Sequence, residues 1–154
     1  LGKAAGVAGA FVAGDETIIE YLIQSAKTYI YTTASPPALA AALVTAVDVM
    51  QKDEARHQHL RNLIAYFKEN LSLKKWHLMP SDTAIQPIVV GSNEAALGLS
   101  EYLLELGILV PAIRPPTVPK NTARLRISLS AAHRLDDVKL LIEHLHAAEQ
   151  VLLG

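Results

Sequence analysis

Residues 111–133 read PAIRPPTVPKNTARLRISLSAAH. Their second half alternates, with Leu125, Ile127 and Leu129 on one side and Arg124, Arg126 and Ser128 on the other. A period of two with one apolar face predicts a half-buried strand over Arg124–Ser130. The first half cannot be regular: four of the eight prolines lie in 111–119, each fixing φ and removing a donor, so RPPTVP predicts a rigid loop. A strand fed by a stiff loop, with two arginines on its open face, sets the class of the surrounding domain.

Outward from this stretch the pattern is compact α/β. Ala84–Val90 predicts a strand ending at Gly91, and Asn93 a cap for a helix carrying Leu97, Leu103, Leu104 and Leu106 that stops at Gly107. Ile108–Ile113 predicts a further strand. A last helix is expected from about Asp136 to Leu152, its first turn made acidic by Asp136 and Asp137. Three strands and two helices predict a small α+β domain, an antiparallel or mixed sheet with helices on one face.

Toward the N-terminus, LGKAAGVAGAFVAG (1–14) holds four glycines, which disfavours a helix; a tight loop leading into a short strand, Val7–Val12, is expected. Asp15 can cap a helix whose stripe runs Ile18, Ile19, Leu22, Ile23, Ala26, Ile30, failing near Thr32–Thr33. Pro36 and Pro37 suit the first turn of the next helix, with Ser35 as cap. Leu39, Leu43, Val47 and Met50 continue one stripe; Leu60, Leu63, Ile64, Phe67 and Leu71 form another. Between them Gln51–His59 is polar apart from Ala55, as expected of a long linking helix. The reading is two bodies, 1–55 and 56–154.

A net charge of −1 and a pI near 6.6 give no electrostatic reason to expect nucleic acid or an anionic membrane as partner. With no cysteine, disulfides and thiolate metal sites are excluded, and a reducing compartment is expected. No run of about 18 apolar residues offers a membrane span, and the text at Leu1 reads as mid-protein. A cytoplasmic fragment is the expectation.

Lys3, in Gly2-Lys3-Ala4-Ala5-Gly6, has neighbours with almost no side chain. That leaves room for something flat against the backbone, as a lysine forming a Schiff base needs; an exposed lysine near a terminus reads equally well. Arg126 and Arg124 could grip a carboxylate, or be a solvated strand face. Arg114 is stiffened by the prolines after it, or is a surface turn. Thr32 and Thr33 could donate to a phosphate, or simply end a helix. The six histidines show no metal spacing: His57 and His59, like His144 and His146, stand two apart on helices, and His77 and His133 have no evident partners.

Taken together, LGKAAGVAGAFV, YIYTTASPPA, AIQPIVVG and PAIRPPTVPKNTARLRISLSAAH fall in order over residues 1–133 and resemble the α-oxoamine synthase family of fold-type I pyridoxal-phosphate enzymes. RPPTVP with TARLRISLSAAH is similar to the branch that forms 8-amino-7-oxononanoate on the path to biotin. Asn121 stands where that family usually has glycine, and Arg134 where a capping Ser or Thr is common. The resemblance implies the C-terminal portion of a homodimeric transferase. Lys3 would hold pyridoxal 5'-phosphate covalently and later move the Cα proton. Thr32 and Thr33 would reach the cofactor phosphate of the opposite subunit. Arg126 would clamp the amino-acid carboxylate, and Thr117, with Arg114 near it, would serve the acyl site. The implied substrates are L-alanine and pimeloyl-CoA or a pimeloyl carrier protein, joined with loss of CO2. No metal, nucleic acid or membrane is implied, and the fragment alone is expected to be inactive and to hold little or no cofactor. Two alternatives remain: a relative using glycine or serine with another acyl-CoA, and a non-catalytic α/β dimerisation module.

Overall fold

A computed structural model describes residues 1–152 and divides into two compact units, Leu1–Glu54 and Ala55–Gly154. In the first, Val7–Val12 is not a strand. A strand exists through its ladder, and among the described residues nothing pairs with this segment; Gly6 (φ 74°) and Gly9 (φ 131°) also turn the chain out of extended geometry.

Helix α1 (Glu16–Ser25) begins as expected, the Asp15 carboxylate accepting the Thr17 N–H at 3.0 Å. It breaks at Ala26 and resumes as α2 (Lys27–Ile30), so the single stripe to Ile30 is divided. α3 (Pro37–Lys52) is capped by Pro36, with no side-chain hydrogen bond, and not by Ser35. The residue before a proline is pushed to extended geometry, so Pro37 keeps Pro36 out of the helix and moves the cap by one. α3 and α4 (Glu54–Asn70) are separate helices meeting at Asp53 (φ −93°, ψ 64°). Aspartate readily leaves helical geometry to bond locally, and Gln51–His59 contributes no buried side chain to hold one continuous rod. No described residue of Leu1–Glu54 is buried.

The second unit holds an antiparallel sheet in the order β1-β2-β4-β3. Its strands are β1 (His77–Leu78), β2 (Ile85–Gly91), β3 (Ala112–Ile113) and β4 (Ala123–Ser128). β1 is a fourth strand that the alternation did not reveal. The expected strand Ile108–Ile113 shrinks to two residues because Ile108 closes the preceding helix, its N–H donating to Leu103 O, and Val110 turns into the core. Ser92 rather than Asn93 caps α5 (Asn93–Glu105), its hydroxyl accepting the Ala95 N–H at 3.1 Å. α5 buries Ala96, Leu99 and Leu103, while Leu104 and Leu106 stay exposed. α6 spans Leu135–Leu152.

One core joins Leu63 and Phe67 of α4, Leu99 and Leu103 of α5, and Val138 and Leu145 of α6 to Ile88, Leu125 and Ile127 of the sheet. All three helices therefore contribute to the apolar side of β4, leaving Arg124 and Arg126 on its other side. Pro87 sits in β2, paired across from Arg126. Its carbonyl accepts the Met79 N–H at 2.9 Å, so its nitrogen points toward the short strand β1, where a missing donor matters least.

Candidate functional site

The outer face of β4 and the loop before it form the best-organised polar surface of Ala55–Gly154. The loop is tied by its own backbone: Thr117 N–H donates to Arg114 O (3.0 Å), and Thr122 N–H to Pro119 O (3.2 Å). The Thr122 hydroxyl donates to the same Pro119 carbonyl at 2.8 Å. The Pro115–Pro116 bond is cis. Asn121 takes φ 62°, the left-handed geometry that asparagine tolerates better than other side chains; that is why it can stand where glycine is usual.

Arg124 and Arg126, two apart on one strand face, are held differently. Arg124 is half-buried. Its Nε donates to Thr122 O (3.0 Å), one terminal nitrogen to Thr122 Oγ1 (3.1 Å), and the other lies 3.0 Å from Met79 Sδ. Arg126 is exposed. Its backbone N–H is fixed on Pro111 O at 3.0 Å, while its guanidinium has no hydrogen-bond or ion-pair partner among the described residues. Thr117 and Arg114 are exposed, and among the described residues their side chains have no polar partner either. A fixed backbone carrying an unengaged guanidinium is an anion receptor in waiting.

In Leu1–Glu54, Lys3 is exposed at the start of a turn closed by Gly6 N–H to Lys3 O at 3.0 Å. A Cβ added at Gly2 or Gly6 would meet nothing within 4 Å, though Gly6 (φ 74°) could not carry one without strain. The open ground around this amine fits a lysine that takes up an aldehyde cofactor. The Thr32 hydroxyl donates to Thr28 O as a helix end, whereas among the described residues that of Thr33 has no partner and is the readier donor to a phosphate.

His133, for which no partner was evident, has two contacts: its Nδ1 accepts the Ser130 N–H (3.1 Å) and its carbonyl lies 2.8 Å from His59 Nε2. Among the described residues no cluster of three or more His, Cys, Asp or Glu could hold a metal. Sequence reasoning missed Met79 and Thr122; only the ladder that brings β1 to β2 puts the thioether beside Arg124. It also missed Glu149, whose carboxylate gathers three consecutive backbone N–H groups at Lys74–Trp76.

The family model described as aminotransferase class I and II matches residues 1–145. The chain belongs to that family. Among curated proteins it is 60% identical, over 97% of its length, to an 8-amino-7-oxononanoate synthase of Methylobacillus flagellatus. It is 51% identical over 97% to one of Aromatoleum aromaticum. It spans only 38% and 39% of those two proteins. The crystal structure of 8-amino-7-oxononanoate synthase from Francisella tularensis superposes with a TM-score of 0.80 at 31% identity, covering 98% of this chain and 43% of that one. A serine palmitoyltransferase of Sphingomonas wittichii has the same fold, with a TM-score of 0.78 at 24% identity over 88% of this chain and 35% of that one. These likenesses bear out the α/β transferase fragment read from the four stretches. Among the described residues no helix is long and apolar enough to cross a membrane.

Proposed function

We propose that the whole protein is a pyridoxal-phosphate-dependent acyltransferase that condenses L-alanine with a pimeloyl thioester, with decarboxylation, to 8-amino-7-oxononanoate. The observation that carries this reading is Arg126, an exposed and unengaged guanidinium on a strand pinned on both sides. The 60% identity to a curated synthase supports it. Glycine and serine remain the competing amino acids.

Bound pyridoxal phosphate supplies an aldehyde for covalent attachment and a ring that withdraws electrons from Cα. Lys3 provides the amine that attaches it, and afterwards takes and returns the Cα proton of the amino acid. Arg126 accepts the alanine carboxylate on its fork, and so fixes which Cα bond is placed for cleavage. Thr33, and Thr32 once it gives up Thr28 O, donate to the phosphate of a partner subunit's cofactor in a homodimer. Thr117 and Arg114 border the acyl chain, whose carrier is CoA or a carrier protein. The cytoplasm is the compartment that suits this chemistry.

The full-length protein, given pimeloyl-CoA with alanine, glycine or serine, should release CO2 and an amino-oxo product with alanine alone. Arg126→Ala should raise the KM for alanine by about two orders of magnitude, as loss of a bidentate carboxylate contact does, and Lys3→Ala should abolish turnover. Equal use of glycine or serine would overturn the alanine assignment. The 154-residue chain by itself should show no turnover and little cofactor binding. An absorbance band that appears on adding pyridoxal phosphate and vanishes in Lys3→Ala would contradict this.

A further inference from the structure

The two arginines of β4 look interchangeable in sequence and are not so in space. We infer that Arg124 is a positioning residue: it clamps Thr122 and thereby locks the loop 114–122 in the pose from which Thr117 and Arg114 meet the acyl substrate. The inference rests on the reading of that loop as the acyl site and goes beyond it by assigning what holds the loop still.

Arg124 spends its fork within the protein. Nε and one terminal nitrogen take the carbonyl and the hydroxyl oxygen of a single residue, Thr122, at 3.0 and 3.1 Å. That bidentate grip needs the planar geometry of a guanidinium. The Thr122 hydroxyl, so held, points its own proton at Pro119 O (2.8 Å), and the Thr122 N–H donates to the same carbonyl. The line of bonds therefore runs from strand β4 through Thr122 to Pro119, while the Arg114–Thr117 turn closes the other half of the loop. The remaining terminal nitrogen lies on the sulfur of Met79, whose backbone is tied to Pro87 of β2. Among the described residues no carboxylate pairs with Arg124. A half-buried cation held only by neutral oxygens and a thioether has a geometric task, and its charge adds to the field drawing anions toward Arg126, about 7 Å along the same face.

The test uses the full-length enzyme and four variants: Arg124→Gln, Arg124→Lys, Thr122→Val and the double Arg124→Gln/Thr122→Val. Each single change should raise the KM for the acyl thioester about tenfold, the size of one lost charge-assisted bond. The KM for alanine and kcat should move less than twofold. The double variant should be no worse than the worse single, since both break one line of contacts. Arg124→Lys should behave like Arg124→Gln, because lysine keeps the charge and loses the fork. Backbone hydrogen exchange at Thr117 and Thr122 should quicken in all four. Should Arg124→Gln fail to fold, Thr122→Val carries the test with the charge intact. Unchanged exchange at both amides in Thr122→Val, additive KM effects, or rescue by Arg124→Lys would overturn the inference. The exchange result stands whatever the substrate proves to be, so a wild-type enzyme that ignores alanine or pimeloyl-CoA would sink the function proposed above and leave the loop lock to be judged by itself.

Discussion

Glu149 offers the sharpest test of how Ala55–Gly154 is held together. From α6 its carboxylate accepts the N–H groups of Lys74 (2.9 and 3.0 Å), Lys75 (2.8 Å) and Trp76 (3.1 Å). One turn earlier, His146 Nε2 accepts the Ser72 N–H at 3.2 Å. These bonds fasten the segment between α4 and β1 to the last helix, and no side chain other than a carboxylate could serve three consecutive amides in this way. A hydrogen bond to a charged acceptor contributes about 1.5–3 kcal/mol. Water competes at Lys74 and Lys75, which are exposed, so the three together should contribute about 2–4 kcal/mol. Glu149→Ala should therefore lower the thermal midpoint of the 154-residue chain by roughly 10–25 °C, and Glu149→Gln, which keeps one acceptor oxygen, by less than half of that. Trp76, the single tryptophan and 5% exposed, reports the transition by fluorescence. The pH dependence has a definite sign. Burial pushes the Glu149 carboxyl up, but the N–H groups of Lys74, Lys75 and Trp76 outweigh it and leave the group below its ordinary 4.5. Its stabilisation is then full above pH 4.5 and is lost as pH falls through the depressed folded value. Wild type and Glu149→Gln should accordingly converge on acidification. A difference below about 0.5 kcal/mol at neutral pH, within the scatter of ordinary surface changes, or one that persists undiminished in acid, would refute the reasoning.

Phe67, 0% exposed in the core, and Phe11, 74% exposed, should separate cleanly in urea titrations followed at Trp76: Phe67→Ala should lose about 3–5 kcal/mol and Phe11→Ala less than about 0.5. Asn121→Gly should leave the thermal midpoint unchanged or raise it slightly, whereas Asn121→Ala, which must hold φ 62° with a Cβ and no amide, should lose about 1 kcal/mol. Residues 55–154 expressed alone should keep the Trp76 transition of the longer chain, and residues 1–54 alone should show no cooperative transition by circular dichroism.

Periodicity read well wherever packing agreed with it. Leu125, Ile127 and Leu129 alternate and are buried, and β2 and α6 lie where their apolar stripes put them. Reading failed where a partner distant in sequence decides the outcome. Val7–Val12 has strand composition but no ladder, and His77–Leu78 has little strand character yet pairs with Ile88 and Val89. Caps slipped by one residue at Ser35 and Asn93 because the proline after Pro36 and the hydroxyl of Ser92 made the better boundary. At the site, Arg124 and Arg126 were legible as a pair but not as a pair with separate tasks. That difference depends on Thr122 and Met79, and Met79 reaches Arg124 only through the pairing of β1 with β2. Lys3 was legible through its small neighbours alone, with no long-range contact required.

The two units draw on different sources of stability, and this bears on which part of the proposed chemistry can be tried first. Ala55–Gly154 buries a continuous core from three helices and a sheet, so the backbone that carries Arg126 is fixed by side chains within the same unit. In Leu1–Glu54 the apolar side chains Phe11, Ile18, Tyr21, Tyr29 and Val44 are exposed despite spacing suited to burial, and local helix formation without a core is marginal. Lys3 therefore stands on backbone that its own unit does little to hold, while an amine that attaches a cofactor needs a fixed and dry setting. Anion binding at the arginine face should thus already be measurable in the 154-residue chain, as a pimelate titration shifted by Arg126→Ala. Chemistry at Lys3 should require the rest of the enzyme. If the chain bound pyridoxal phosphate firmly through Lys3 while its arginine face ignored carboxylates, this ordering of the two units would be reversed.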